Sequence, residues 1–208
     1  MPAAASFAAS MGALGISHHD RVVAYDDSGG MSAGRLVWML RILGQQAALL
    51  DGGVNAWSGD LETGPRDRRA VDHPIRPWPL RLLVDADEAA VAGTDPNRVL
   101  IDSRNPDRYF GENEPVDPQA GHIPGAINLP FGGNLTDNGW FHTPQQLRER
   151  FEQAGLSDGD VPVMYCGSGV SACNNLLAFE HAGLGQAVLY AGSWSQWSND
   201  QDRPVETT

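Results

Sequence analysis

The feature that most constrains the fold is an internal repeat. When the sequence is shifted by 140 positions, Val23 falls on Val163 and Gln46 on Gln186 without a gap. Gly52 and Trp57 likewise fall on Gly192 and Trp197. Because the matches keep one spacing over about fifty residues, chance is a poor explanation. The chain therefore contains two related units that share one architecture.

The first copy covers only the back half of a unit. The second unit starts near Leu83, so its counterpart would begin upstream of Met1. Residues 1–57 then form a partial copy with predicted helices at 5–14 and 31–43 and strands at 21–25 and 47–50. An incomplete sheet should leave an edge and apolar surface uncovered. Three explanations for the missing front half stay open. Residues 1–57 dock on the second unit in an altered way, the chain forms a homodimer through the incomplete unit, or the true start lies upstream.

Residues 58–82 have the composition of a linker, since prolines and glycines interrupt every periodicity there. Residues 83–208 alternate short apolar runs with helical patterns. Two helix starts are marked by capping boxes, at Asp85 with Glu88 and at Thr143 with Gln146. This alternation predicts an α/β fold, a parallel sheet flanked by helices, with one complete C-terminal domain and the partial N-terminal copy.

A cysteine stands at the centre of the second unit. Residues 161–165 predict a strand, Cys166 follows it, and small residues lead into a helix. Backbone N–H groups in such a turn, together with a helix N-terminus, form a nest that favours a thiolate. From this pattern alone, Cys166 is either a nucleophile or a buried structural cysteine.

Composition narrows the function. The formal net charge of −12 opposes binding to nucleic acid or to an anionic membrane. No apolar run approaches the roughly 18 residues of a membrane helix, and the N-terminus lacks the basic region of a signal peptide. Two cysteines are too few for a disulfide framework and suggest a reducing cytoplasm.

Five separated motifs resemble one family, the tandem-domain rhodaneses, which are thiosulfate and 3-mercaptopyruvate sulfurtransferases. They are, in order, Asp102-Ser103-Arg104, Arg108-Tyr109 with Gly111, Gly121-His122-Ile123-Pro124-Gly125-Ala126, Tyr165-Cys166-Gly167-Ser168-Gly169-Val170 and Gly192-Ser193-Trp194-Ser195-Gln196-Trp197. The resemblance covers residues 83–208 and the back half of the family's N-terminal domain over 1–57.

The resemblance implies a reaction and a site. Cys166 would carry a persulfide formed from thiosulfate or 3-mercaptopyruvate, and cyanide or a thiol would accept the sulfur. Neither a metal nor an organic cofactor is implied. Asp26 occupies the position of Cys166 in the first copy, which therefore has no nucleophile. The implied substrate-binding groups are Arg108 and the loop residues Gly167, Ser168, Gly169, Val170 and Ser171.

Two departures from the family's pattern leave the identity of the sulfur donor open. Mercaptopyruvate enzymes of the family carry a second arginine nine residues after the first, where this chain has Asp117. Thiosulfate-selective members carry a lysine two residues after the cysteine, where this chain has Ser168. For Arg108 itself, the alternative to substrate binding is a surface ion pair with Asp107 or Glu112.

Other interpretations are weaker. A cysteine phosphatase needs an arginine six residues after the cysteine, but Ala172 stands there. The cysteines and histidines lack paired metal-ligand spacing. Cys173 fits a buried apolar role, Asp102 and Arg104 fit the fixing of loops, and His122 fits the holding of its own turn. A non-catalytic persulfide carrier or partner-binding module remains the alternative function.

Overall fold

Five parallel strands form the main sheet in a computed structural model that describes residues 1–208. In spatial order they are β3 (Leu83–Val84), β7 (Val188–Tyr190), β6 (Val163–Tyr165), β4 (Leu100–Asp102) and β5 (Ile127–Asn128). Every neighbouring pair is parallel, with Asp102 in register with Tyr165 on β6. The predicted α/β class with a parallel sheet is confirmed, and the edge strand β3 is an element that the sequence did not indicate.

Helices cover both faces of this sheet. They are α3 (Ala86–Thr94), α4 (Pro106–Tyr109), α5 (Pro144–Gln153), α6 (Ala172–His181) and α7 (Ser193–Trp197). Both predicted capping boxes are present, at the starts of α3 and α5. The strands β4, β6 and β7 are buried along their whole length because helices lie on each side of them.

The first unit contains α1 (Ala4–Ala13), β1 (Val22–Ala24), α2 (Met31–Ile42) and β2 (Ala47–Leu49). Every predicted bound of these elements lies within one residue of the observed one, and β1 is one residue shorter than predicted at each end. β1 pairs only with β2, and the side chains of Val23, Tyr25 and Trp57 are exposed. The expected uncovered apolar surface is therefore present.

The two units share one hydrophobic core. Helix α2 packs against α6, and Val37 and Trp38 join the same buried cluster as Leu177 and Phe179. Residues 58–79 have no helix or strand, but this segment is tied to the first unit by hydrogen bonds from Val71 N to Gly12 O (3.0 Å) and from Trp78 Nε1 to Pro2 O (2.8 Å). The partial unit thus docks on the second unit through α2.

No helix has both the length and the apolar character that crossing a membrane requires.

Candidate active site

Cys166 follows β6 directly and lies at the carboxyl edge of the sheet, where open α/β sheets bind ligands. Its residue surface is 1% exposed, and it lines a cavity of about 390 Å³. The lining also includes Arg104 and Arg108 of the second unit and Met31, the first residue of α2. The cavity is therefore built from both units.

The loop from Cys166 to Ser171, the Cys166 loop, presents unused hydrogen-bond donors. The backbone N–H groups from Gly167 to Ala172 donate to no acceptor in the protein. Gly167, Ser168, Val170 and Ser171 line the cavity, whereas Gly169 does not. Three of these four lining residues are partly buried and Ser168 is exposed, so a ligand in the cavity can reach their N–H groups. A row of free donors beside the Cys166 thiol and the start of α6 is suited to an anion.

The Cys166 loop is held from behind by the segment after β7. Trp194 N donates to Cys166 O (2.9 Å) and Ser195 N to Gly167 O (2.8 Å). Ser193 Oγ accepts a hydrogen bond from Cys166 N (3.1 Å) and donates one to Tyr190 O (2.8 Å). These bonds use the carbonyls of Cys166 and Gly167 and the Cys166 amide, and the amides from Gly167 to Ala172 keep no acceptor in the protein.

Ser193 was not identified from the sequence as part of the site. Its φ of 54° is the only positive φ outside glycine. The repeat carries a signal for it, since the equivalent residue in the first unit is Gly53, whose φ is 59°. A glycine in one copy marks a position that needs a left-handed backbone in both. Ser193 accepts that conformation while its hydroxyl bridges Cys166 and Tyr190.

The Asp26 loop, residues 26–30, shows the same turn with an anion in place. The Asp26 carboxylate accepts hydrogen bonds from four backbone N–H groups, those of Ser28, Gly30, Ser32 and Ala33, at 2.8–3.0 Å. Burial raises the pKa of this carboxyl, but the four hydrogen bonds outweigh it and leave the pKa below its usual value. The first unit thus fills its own nest with a side chain, and the second unit leaves its nest free.

Asp26→Asn is expected to lower the free energy of unfolding by about 1 kcal/mol at pH 7, allowing for solvent screening of this partly exposed group. Since the folded-state pKa lies below the usual 3.8, the contribution is present above that value and is lost as pH falls through the folded pKa. The difference in urea midpoint between wild type and variant should therefore narrow in acid. Asp27→Asn is the control, because Asp27 binds only the Ser28 hydroxyl; an equal, pH-independent loss in both variants would contradict the prediction.

Arg108, on α4, faces the cavity with one part of its guanidinium and two acids with the other. Nη2 donates to Glu114 Oε1 (2.6 Å) and Asp117 Oδ2 (3.0 Å), and Nε donates to Glu114 Oε2 (3.1 Å). Nη1 points to the Cys166 loop, 3.3 Å from the position a Cβ on Gly167 would take. The expected alternative partners, Asp107 and Glu112, are wrong, because the chain folds back to bring Glu114 and Asp117 instead.

Arg104 and Asp102 form a buried ion pair beneath the cavity. Arg104 Nη2 lies 2.6 Å from Asp102 Oδ2, and the two side chains are 2% and 0% exposed. Arg104 also donates to Gly121 O (2.7 Å), and its guanidinium carbon lies 4.7 Å from the Trp194 ring centroid. These contacts tie β4, the turn before β5 and α7 together, so this pair fixes the loops around the site.

Two further candidates have structural surroundings. His122 is 1% exposed, stacks on Tyr109 at 3.7 Å and directs Nδ1 at Tyr109 O. Cys173 is fully buried, and burial raises the pKa of its thiol to about 12. Its Sγ lies 3.4 Å from Gly169 O, where the thiol donates a hydrogen bond. Neither side chain lines the Cys166 cavity.

Comparison with protein families finds one match, to the rhodanese-like domain, over residues 3–60 and 85–200. A Pseudomonas aeruginosa protein named "Probable 3-mercaptopyruvate sulfurtransferase" is 42% identical over all of this chain and 75% of its own length. Bos taurus thiosulfate sulfurtransferase is 34% identical over 95% of this chain and 69% of its own. Homo sapiens 3-mercaptopyruvate sulfurtransferase is 35% identical, again over 95% of this chain and 69% of its own length.

Solved structures share the fold. The wild-type structure of EanB superposes with a TM-score of 0.84 at 22% identity, over 98% of this chain and 54% of its own. The anaerobic ergothioneine biosynthesis enzyme from Chlorobium limicola superposes with a TM-score of 0.81 at 24% identity, over 95% of this chain and 53% of its own. This chain spans about half the length of those proteins.

Proposed function

Because the chain belongs to the rhodanese-like family of sulfurtransferases, we propose that it moves a sulfane sulfur from thiosulfate or 3-mercaptopyruvate to cyanide or a thiol through a persulfide on Cys166. The nucleophile is the Cys166 thiolate. The observation that carries the proposal is the row of free amides from Gly167 to Ala172 around this sulfur. The corresponding turn in the first unit already holds a carboxylate through four backbone amides, and three of them, those of Ser28, Gly30 and Ser32, are the repeat equivalents of free amides in this row.

Sulfur transfer proceeds in two displacements. The Cys166 thiolate attacks the outer sulfur of the donor and forms an S–S bond. With thiosulfate, the donor's own S–S bond breaks and sulfite leaves with the electron pair. With 3-mercaptopyruvate, the C–S bond breaks, and the resulting enolate takes a proton to give pyruvate. The acceptor then attacks the outer sulfur of the persulfide, and the Cys166 thiolate leaves.

The loop amides assist each of these steps for the same reason. Thiolate and persulfide both carry negative charge at the centre of the nest, and preorganised N–H donors stabilise charge without reorganisation. Arg108 supplies the cation for the anionic donor through Nη1, the nitrogen that Glu114 and Asp117 do not occupy. Gly167, Ser168, Val170 and Ser171 complete the donor-facing wall, and Gly169 shapes the turn.

Asp117 limits the attraction of this arginine for a donor, because its carboxylate lies 3.0 Å from Nη2. Asp117→Asn removes one negative charge near the anion site and is expected to lower KM for thiosulfate or 3-mercaptopyruvate roughly three- to tenfold, with kcat nearly unchanged. The matched control is Asp107→Asn, whose side chain contacts Asn113 and not Arg108. An unchanged KM in Asp117→Asn, or an equal drop in both variants, would show that Asp117 does not tune donor binding.

The proposed function is tested by steady-state assays on the purified full chain. Thiosulfate with cyanide and 3-mercaptopyruvate with a thiol are compared under the same conditions. Thiocyanate or pyruvate produced over many turnovers supports the proposal and identifies the donor. A single equivalent of transferred sulfur without turnover supports the carrier function instead, and the absence of both products contradicts sulfur transfer.

A further inference from the structure

We propose that Arg35, which belongs to the first unit, is a positioning residue for the Cys166 loop of the second unit. The proposal rests on the function proposed above. It assigns to the partial copy a direct part in shaping the site, although that copy has no nucleophile of its own.

Arg35 reaches across the boundary between the units. It lies on α2, and its Nη1 donates to Gly169 O at 2.8 Å, inside the Cys166 loop. The same nitrogen lies 3.6 Å from Cys173 Sγ, at the start of α6. The guanidinium therefore holds the loop where it turns into the helix.

The Gly169 carbonyl is a sensitive point of this loop. Gly169 has a φ of +73°, and a Cβ there would lie 2.7 Å from Ala191 O, so the loop is wedged against the segment after β7. Gly169 is also the member of the loop that does not line the cavity. Arg35 Nη1 is the strong donor to this oxygen, because its other partner, the Cys173 thiol at 3.4 Å, is a weak donor. Without Arg35, the Gly169 peptide would be held by that thiol alone and would rotate more freely, which would let its carbonyl oxygen turn toward the anion.

A matching contact runs in the opposite direction. Asn174 lies on α6, and its Nδ2 donates a hydrogen bond to Gly29 O at 2.9 Å. Gly29 is the repeat equivalent of Gly169. Its φ of +66° matches that of Gly169. Each unit thus braces the same carbonyl of the other unit's loop. The brace on the Cys166 loop is the charged one, and the brace on the Asp26 loop is a neutral amide.

The charge of Arg35 is not taken up by an acid. No carboxylate lies within salt-bridge distance of it, whereas Arg41 on the same helix pairs with Glu180 at 3.2 Å. A half-buried guanidinium without a counter-ion is stabilised when nearby groups become negative. A thiolate or persulfide on the adjacent loop supplies that negative charge, so Arg35 both fixes the loop and favours its anionic states.

The test compares Arg35→Met, which keeps the apolar stem, with Arg35→Lys and the control Arg41→Met. Arg41 is matched because it also joins α2 to α6, but its partner Glu180 lies far along α6 from the loop. Single-turnover persulfide formation should slow roughly 10- to 100-fold in Arg35→Met. The loss should appear in the rate constant and not in the donor concentration at half-saturation. Arg35→Lys should recover part of the rate, and Arg41→Met should stay within about twofold of wild type.

A second readout separates this proposal from the proposed function. Alkylation of Cys166 by iodoacetamide reports on the loop without any sulfur donor, and it should slow several-fold in Arg35→Met alone. If wild type forms no persulfide but alkylation still slows selectively, sulfur transfer fails and the positioning role stands. If Arg35→Met and Arg41→Met behave alike in both assays, or if Arg35→Lys is as slow as Arg35→Met, the positioning role is overturned.

Discussion

Cys166→Ser is expected to lower kcat/KM for sulfur transfer by at least about a thousandfold, whichever donor is used. A serine hydroxyl keeps the volume and the backbone of the loop. It is not ionised near neutral pH, it is a poor nucleophile toward sulfur, and it cannot carry the sulfur as a persulfide. The amides from Gly167 to Ala172 would still bind an anion, so the variant should retain donor binding while losing chemistry.

The matched control for this variant is Cys173→Ser. Cys173 is fully buried and donates to Gly169 O, and a serine hydroxyl keeps that hydrogen bond. We expect near wild-type kcat/KM, because the thiol of Cys173, with its pKa raised to about 12 by burial, takes no part in transfer. Equal losses of kcat/KM in the two variants, or substantial turnover by Cys166→Ser, would show that Cys166 is not the nucleophile.

Asp102→Ala is expected to destabilise the fold by about 3–5 kcal/mol, because it leaves the charge of Arg104 buried without its main partner. The Asp102 carboxylate accepts from Arg104 Nε and Nη2 and from the Arg104 backbone N–H, all at 2.6–3.1 Å. Glu114 and Gly121 O would still bind the guanidinium, but Glu114 is shared with Arg108. Urea unfolding monitored by circular dichroism measures the loss.

The surface pair of Arg148 and Asp158 provides the control. The same atoms, Nη2 and Oδ2, lie the same 2.6 Å apart, but these side chains are 34% and 70% exposed. Asp158→Ala should leave the urea midpoint nearly unchanged, because water solvates either charge alone. Similar midpoints for Asp102→Ala and Asp158→Ala would contradict the assignment of the buried pair as a structural anchor of the site.

Much of the fold was predictable because local chemistry and global architecture agree. The capping boxes at Asp85 and Thr143 marked helix starts that the structure contains. Short apolar runs bounded by turns marked β4, β6 and β7, and the repeat allowed each unit to support the interpretation of the other. Most errors are small shifts at element ends, where hydrogen bonds to neighbouring strands decide the boundary and the local sequence does not. Two elements were not predicted as such: the two-residue edge strand β3, and the short helix α7, which the sequence indicated only as a closing turn.

The site was predictable only in part. The Cys166 loop was evident from its strand, small residues and helix. The partners of Arg108 were not, since Glu114 and Asp117 reach it through an irregular segment that has no periodicity. Ser193 was overlooked although Gly53 marks its backbone conformation in the other copy. The contact of Arg35 with Gly169 depends on how α2 docks on α6, which no local pattern encodes.

Mass spectrometry of the intact chain tests most directly whether Cys166 carries the transferred sulfur. The reduced protein is treated with thiosulfate or 3-mercaptopyruvate in the absence of an acceptor, and the adduct is then mapped to a peptide. We predict a gain of one sulfur atom, located on Cys166, that disappears on addition of cyanide. An unmodified chain with both donors, or an added sulfur on Cys173, would show that Cys166 does not carry the sulfur.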